Sequence, residues 1–130
     1  MEFKVLTENE IKKTIKENRI VFREFFIGRR VYGCKSKDGT IVAMCGVSQN
    51  KQLYGLRKIY SPFILNNDMD IGTALLQMVV AELLSENKEV IIFSDLVTEL
   101  KPIFENAGFR ITDKRSGLVR YDTLWRGVVC

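Results

Sequence analysis

The stretch NNDMDIGTALL (66 to 76) sets Asp68, Asp70 and Gly72 at the start of an apolar run, Ile71, Ala74, Leu75, Met78, Val79 and Leu83, spaced as one face of a helix. Helix N-termini bind anions through their free backbone amides. Two chemistries are therefore open to this turn: it can hold a phosphate, or its aspartates can cap their own helix. The sequence has no histidine, which removes Ser-His-Asp and Cys-His nucleophile systems and imidazole metal sites. Acid/base work is left to Asp, Glu, Tyr, Lys, Cys or water. Cys34, Cys45 and Cys130 are odd in number and lack CxxC spacing, so neither a disulfide framework nor a zinc site is expected. Cys45, between Met44 and Val47, reads as a buried strand thiol without a nucleophilic role.

The elements that must position these residues alternate along the chain. Phe3, Val5 and Leu6 suggest a short strand, and Thr7-Glu8-Asn9-Glu10 matches a capping box that opens a helix through Ile11 and Ile15. In residues 20 to 28, IVFREFFIG, the spacing of Val21, Phe22, Phe25 and Phe26 favours a second helix. RRVYGCKSKDGTIVAMCGV reads as a hairpin turning at Asp38-Gly39. Residues 53 to 64, LYGLRKIYSPFI, read as a strand broken or bulged at Ser61-Pro62. The helix after the NNDMD turn runs to about Ser85 and leads into a buried strand, EVIIFSD (89 to 95). A helix begins or restarts at Pro102 and ends at Gly108. FRITD and LVRYDTLW then flank Lys114-Arg115-Ser116-Gly117 as a last hairpin. The order β, α, α, ββ, β, α, β, α, ββ implies an α/β chain with a mixed, mostly antiparallel sheet, in which only the central strand-helix-strand unit must be parallel.

At 130 residues the chain is expected to form one domain with a real core. Hydrophobic residues make up 46% without a low-complexity tract, which argues against disorder. The opening MEFKVLTENEIKK lacks the apolar stretch of a signal peptide, and no run approaches the ~20 apolar residues that span a bilayer. A soluble, cytoplasmic protein without membrane association is the expectation. The net charge is +4, with basic and acidic residues interspersed, so charge alone favours a solvated basic surface over nucleic-acid binding.

The succession of the DGTIVAMCGV hairpin, a strand, a turn ending IGTALL, a buried strand and a short helix closing with FENAGF resembles the GCN5-related N-acetyltransferase (GNAT) family over residues 3 to 124. In that family the turn reads (Gln/Arg)-x-x-Gly-x-(Gly/Ala), and its amides hold the acetyl-CoA pyrophosphate at a helix start. Here the three places are Asn67, Asp70 and Gly72. The resemblance thus implies acetyl-CoA, or another acyl-CoA, as cofactor, with Ile59 and Ser61 on the preceding strand and Asn67, Asp70, Ile71, Gly72 and Thr73 on the turn as its contacts. Asp70 departs from the pattern, because a carboxylate suits the helix dipole by roughly 0.3–1 kcal/mol but repels a pyrophosphate. A bulky residue at Gly72 is expected to weaken cofactor binding and leave the fold intact.

The segment FENAGF resembles the family's Tyr-x-x-x-Gly-Phe, whose tyrosine commonly protonates the departing thiolate; here that place is Phe104. The family's cofactor-contacting asparagine, seven residues earlier, is Val97. Phe104 cannot donate a proton and belongs to the core with Phe109. The family's mechanism, direct attack of an amine on the thioester, needs a base. Polar residues near the two strands expected to part around the cofactor are Tyr60, Ser61, Ser94 and Asp95. Asp95, at the carboxyl end of a buried strand, is the candidate base, with capping of the next helix as its alternative. Tyr60 is either the replacement acid or an aromatic wall, Ser94 is a third polar candidate, and Tyr121 is structural. Trp125 either completes the core or marks a contact surface. Two classes follow: an N-acyltransferase acting on an amine of a small molecule, protein or nucleic acid, or a non-catalytic acetyltransferase-like module that binds a protein or nucleic acid.

Overall fold

The structure is a computed structural model that describes residues 1–48, 56–86, 90–95, 97–113 and 118–122. Trp125, Cys130 and the expected turn at 114–117 lie outside the described residues, as do the first residues of the expected strands at 53 and 89. Strand β1 (Glu2–Val5) leads into helix α1 (Glu8–Glu17) through the expected capping box. Strands β2 (Arg30–Lys35) and β3 (Ile41–Val47) form the expected hairpin. Gly39 turns it at φ 90°, and the Asp38 carboxylate accepts from the Thr40 amide at 3.0 Å and from the Ser36 hydroxyl. Short strands β4 (Leu56–Lys58) and β5 (Phe63–Ile64) flank Ser61-Pro62. Helix α2 (Met69–Glu86), strand β6 (Ile91–Asp95), helix α3 (Lys101–Asn106) and the pair β7 (Arg110–Asp113) and β8 (Leu118–Asp122) complete the order.

One expected helix is absent. Residues 20 to 28 form only a single 3-10 turn, Arg23–Phe25, after Arg19 at φ 51° and before Gly28 at φ 75°. Aromatic and β-branched side chains favour the helix weakly, and no side chain caps this turn. Its backbone is instead pressed onto β3: a Cβ on Gly46 would lie 1.9 Å from the Phe25 carbonyl oxygen. Phe26 alone of the run is fully buried, while Val21 and Phe22 are exposed. The period of the sequence was helical, but it marks a strap with one anchor.

The strands form two four-stranded sheets, ordered β1-β2-β3-β5 and β4-β6-β8-β7. Every neighbouring pair is antiparallel except β4 and β6, which are parallel as the βαβ unit requires. Strand β3 is buried along its whole length, with Met44 facing Leu6, Ile11, Ile15, Phe26 and Val31 on the α1 side. Ala43, Cys45 and Val47 face Leu75, Leu76 and Val79 of α2. Burial pushes the Cys45 thiol up to about 12, which keeps it protonated and inert. Among the described residues, no helix is long and apolar enough to cross a membrane.

Candidate active site at the split between the sheets

The two sheets are joined by one segment, and its backbone shows where they part. The Ile59 amide donates to the Phe93 carbonyl at 3.0 Å, the last bond across the β4–β6 pair. The next amide, Tyr60, donates the other way, to the Gly46 carbonyl at 2.9 Å. From there Phe63 and Ile64 pair with Met44 and Ala43 of β3, while Ser94 and Asp95 pair only with β8. Pro62, within this stretch, has no amide to donate. Between 60–64 and Ser94–Asp95 no backbone bond is formed among the described residues. The split is thus set by two consecutive amides that serve different sheets.

Alternation along the strands sorts the expected site residues onto two faces. Ile59 and Ser94 are fully buried on the helix side, and the Ser94 hydroxyl donates to the Asp95 carbonyl at 3.2 Å. Lys58, Tyr60 and Asp95 share the opposite face, where Lys58 Nζ lies 3.4 Å from Asp95 Oδ2 and 5.2 Å from the Tyr60 ring centroid. Ser94 and Asp95, neighbours in sequence, therefore do not act on one side. Asp95 is exposed, and it does not cap the following helical turn, where Val97 holds the cap position and no side chain bonds to the amides.

The face shared by Lys58, Tyr60 and Asp95 carries residues that local sequence patterns did not assign to a site. The Arg29 guanidinium lies 3.9 Å over the Tyr60 ring, and Phe25 stacks on the same ring with centroids 5.8 Å apart. Gly46 makes this possible by letting the 22–29 strap approach β3; a glycine inside an apolar strand is the signal that announces such an approach. Ser61 is half-buried beside Tyr60 at the split.

On the far side of the split, the NNDMD turn resolves into one cap and one exposed charge. Asp68 Oδ1 accepts from the Ile71 amide at 3.0 Å, so Asp68, and not Asp70, caps α2. Asn66 and Asn67 precede it in the left-handed region at φ 58° and 49°, a conformation asparagine tolerates. Asn67 and Asp70 are exposed and Ile71 is half-buried. The Met69 and Asp70 amides have no partner among the described residues. Gly72 is buried: a Cβ there would meet Ile64 Cδ1 at 2.7 Å and Ile103 Cγ2 at 2.8 Å. The expectation that a bulky residue leaves the fold intact is therefore corrected, because this glycine lets α2 pack against β5 and α3. Thr73 Oγ1 accepts from Asn106 Nδ2 at 3.0 Å, tying α2 to α3. Met69, Pro102, Glu105 and Asn106 line an open groove between these two helices.

Phe104 is fully buried and packs edge-on to Phe109 at 5.2 Å, so it is core, and Val97 is exposed. Tyr121 rests on Phe109 at 5.6 Å. No cluster of Cys, Asp or Glu among the described residues suits a metal ion.

This fold is that of the GNAT acetyltransferases. The chain superposes on an N-acetyltransferase from Staphylococcus aureus Mu50 with a TM-score of 0.69 at 18% identity, covering 95% of this chain and 97% of that one. It also superposes on a GCN5-related N-acetyltransferase from Kribbella flavida, with a TM-score of 0.68 at 12% identity over 93% and 96% of the two chains. A GNAT superfamily phosphinothricin acetyltransferase from Sinorhizobium meliloti, solved in complex with AcCoA, gives 0.66 at 11% identity over 93% and 87%. No family model matches the chain, and no curated protein matches its sequence significantly. At these identities the likeness is one of fold.

Proposed function

We propose that this protein is an acyl-CoA-dependent N-acyltransferase, with acetyl as the acyl group, acting on an amine. The observation that carries the reading is the split after Ile59, a gap between strands with a polar face on one side and a helix start with two unpartnered amides at its end. The Met69 and Asp70 amides would take the phosphates of acetyl-CoA, with Asn67 and Thr73 beside them, and Ile59 and Ser61 would border the pantetheine arm. Asp70 weakens this grip without closing it, since its carboxylate is exposed and free to turn into solvent.

In the reaction the acceptor nitrogen bonds to the acyl carbon as the carbon–sulfur bond breaks, and the electron pair leaves with sulfur. The nitrogen must first lose a proton, and Asp95 takes it. Lys58, 3.4 Å away, holds the carboxylate in place. The proton that finally reaches sulfur comes from Tyr60 or from water, because Phe104 has none to give.

Isothermal calorimetry with acetyl-CoA tests binding, and single-turnover acyl transfer tests Asp95. Asp95→Asn is expected to lower turnover about 10²–10⁴-fold with acetyl-CoA affinity unchanged. Absence of any heat at millimolar acetyl-CoA would leave a non-catalytic module. Full turnover by Asp95→Asn would remove the base.

A further inference from the structure

We infer that the acceptor is an amine that also carries a carboxylate, which Arg29 receives; this rests on the acyltransferase reading. Three strand arginines have counter-charges: Arg30 and Arg57 share Glu86, and Arg120 pairs with Asp122. Arg29 has none among the described residues. Its Nε donates to the Glu24 carbonyl at 2.8 Å, and its Cζ lies 3.9 Å from the centroid of the Tyr60 ring. A guanidinium lying over a ring keeps its terminal N–H groups available, in the fork that matches a carboxylate. Two contacts already fix its position, so little side-chain entropy remains to be lost when an anion binds.

The same face supplies the other half of the acceptor's charge. Lys58 lies between the ring of Tyr60 and the carboxylate of Asp95, so cation and anion stand side by side at the split. An acceptor with an ammonium for Asp95 and a carboxylate for Arg29 satisfies both. A diamine or polyamine brings a second positive charge against Arg29 and Lys58 and is disfavoured. Phe22 stacks on Phe25 at 5.2 Å, and Phe25 on Tyr60, which makes an aromatic row leading to Arg29. Phe22 is 57% exposed, so the row offers an apolar wall to the body of the acceptor.

The test pairs each of L-phenylalanine, L-methionine and L-glutamate with its α-carboxamide in acetyl-CoA turnover, read as thiol release. In parallel, the Arg29 Nε–H resonance of the labelled protein is followed while N-acetyl-L-phenylalanine or N-acetyl-L-phenylalaninamide is added without CoA. The acids are expected to exceed their amides by about tenfold or more in kcat/KM, the order of a charge-assisted hydrogen bond. Arg29→Gln is expected to bring the ratio near one, mainly through KM, and Arg29→Lys, which keeps the charge and loses the fork, to fall between. The resonance should move with the acid and not with the amide. Equal turnover of acids and amides would overturn the inference and leave the acyltransferase intact. An acid-selective shift with no turnover of any acceptor would keep the carboxylate site and overturn the acyltransferase. Absence of both the shift and turnover would overturn the inference.

Discussion

At the start of α1 the Thr7 hydroxyl accepts from the Glu10 amide at 3.2 Å, and the Glu10 carboxylate accepts from the Thr7 amide at 3.0 Å. At the start of α2 one carboxylate, Asp68, accepts from the Ile71 amide. Each start leaves two amides without a partner among the described residues, Glu8 and Asn9 in one, Met69 and Asp70 in the other. Free amides alone therefore do not separate a binding turn from a structural one. Their surroundings do. Glu10 is paired with Lys4 at 2.9 Å and Lys35 at 3.5 Å, and Glu8 with Lys12 at 3.0 Å, so the first start is neutralised in place. The second follows the strand that leaves the split, packs through Gly72 on Ile64 and Ile103, and shows no cation against Asp68 or Asp70 among the described residues.

The largest effect that sharpens this contrast is expected at Gly72. Gly72→Val drives a branched side chain into Ile64 and Ile103, where even a Cβ is too close. Overpacking of this kind costs roughly 1–3 kcal/mol, to be measured by urea unfolding. An unchanged midpoint would mean that α2 and α3 can move apart at no cost, and that the α2 start is loosely held.

Next in size is the charge at the α1 start. The Thr7 amide, working against burial and helped by Lys4, holds the Glu10 carboxyl at about 2. A carboxyl lowered from about 4.5 to about 2 stabilises the fold above pH 4.5, and that contribution is lost as pH falls from about 4.5 to about 2. Glu10→Gln keeps an oxygen for the Thr7 amide and loses the charge. It should cost on the order of 1–2 kcal/mol at pH 7, less than the full linkage because solvent screens the pair, and should flatten that acid limb. An acid limb identical to that of the parent protein would assign the low value to some other carboxylate.

The caps come third. Thr7→Ala and Asp68→Ala should each cost about 1 kcal/mol of stability. Only Asp68→Ala should also change acetyl-CoA affinity, because only its helix start adjoins the split. Calorimetry on the two variants compares them directly, and equal affinities would detach the α2 turn from the proposed site.

The sequence carried the elements far better than the site, for physical reasons visible at single residues. The Thr7-Glu10 capping box, the Asp38-Gly39 turn and the compact apolar run in EVIIFSD act over a few residues, so local pattern determines them. The resemblance to GNAT proteins rested on the order of those elements, and the fold agrees with it. The 20–28 segment failed because its aromatic spacing is shared by a helix and by a strap held down at Phe26, and what decides between them is Gly46, some twenty residues later. Separation along the chain likewise hides Arg29 and Phe25 from sequence reasoning, since they meet Tyr60 only through the fold, and Lys58, two residues before Tyr60, meets Asp95 only across the β4–β6 pair. Ser94 and Asp95 belong together in sequence as the polar residues ending one strand, whereas strand alternation sends their side chains to opposite faces.

The smallest expected effect bears most directly on what the α2 start is for. Asp70 is exposed in its first turn, next to two unpartnered amides, where a carboxylate favours the helix and opposes a phosphate. Asp70→Asn removes the charge and keeps the shape. Acetyl-CoA should then bind about two- to fivefold more tightly, the size of a surface charge acting at a helix end. The gain should shrink between low and physiological salt, because screening acts on the repulsion that the substitution relieves. Glu8→Gln, the corresponding change in the first turn of α1, should leave affinity unchanged and so serves as the control. If both variants improve binding equally, the gain reflects net charge alone and the α2 start has no special place. If Asp70→Asn improves it alone, with the expected salt dependence, the carboxylate faces a bound phosphate, and the two helix starts are separated by what lies in front of them.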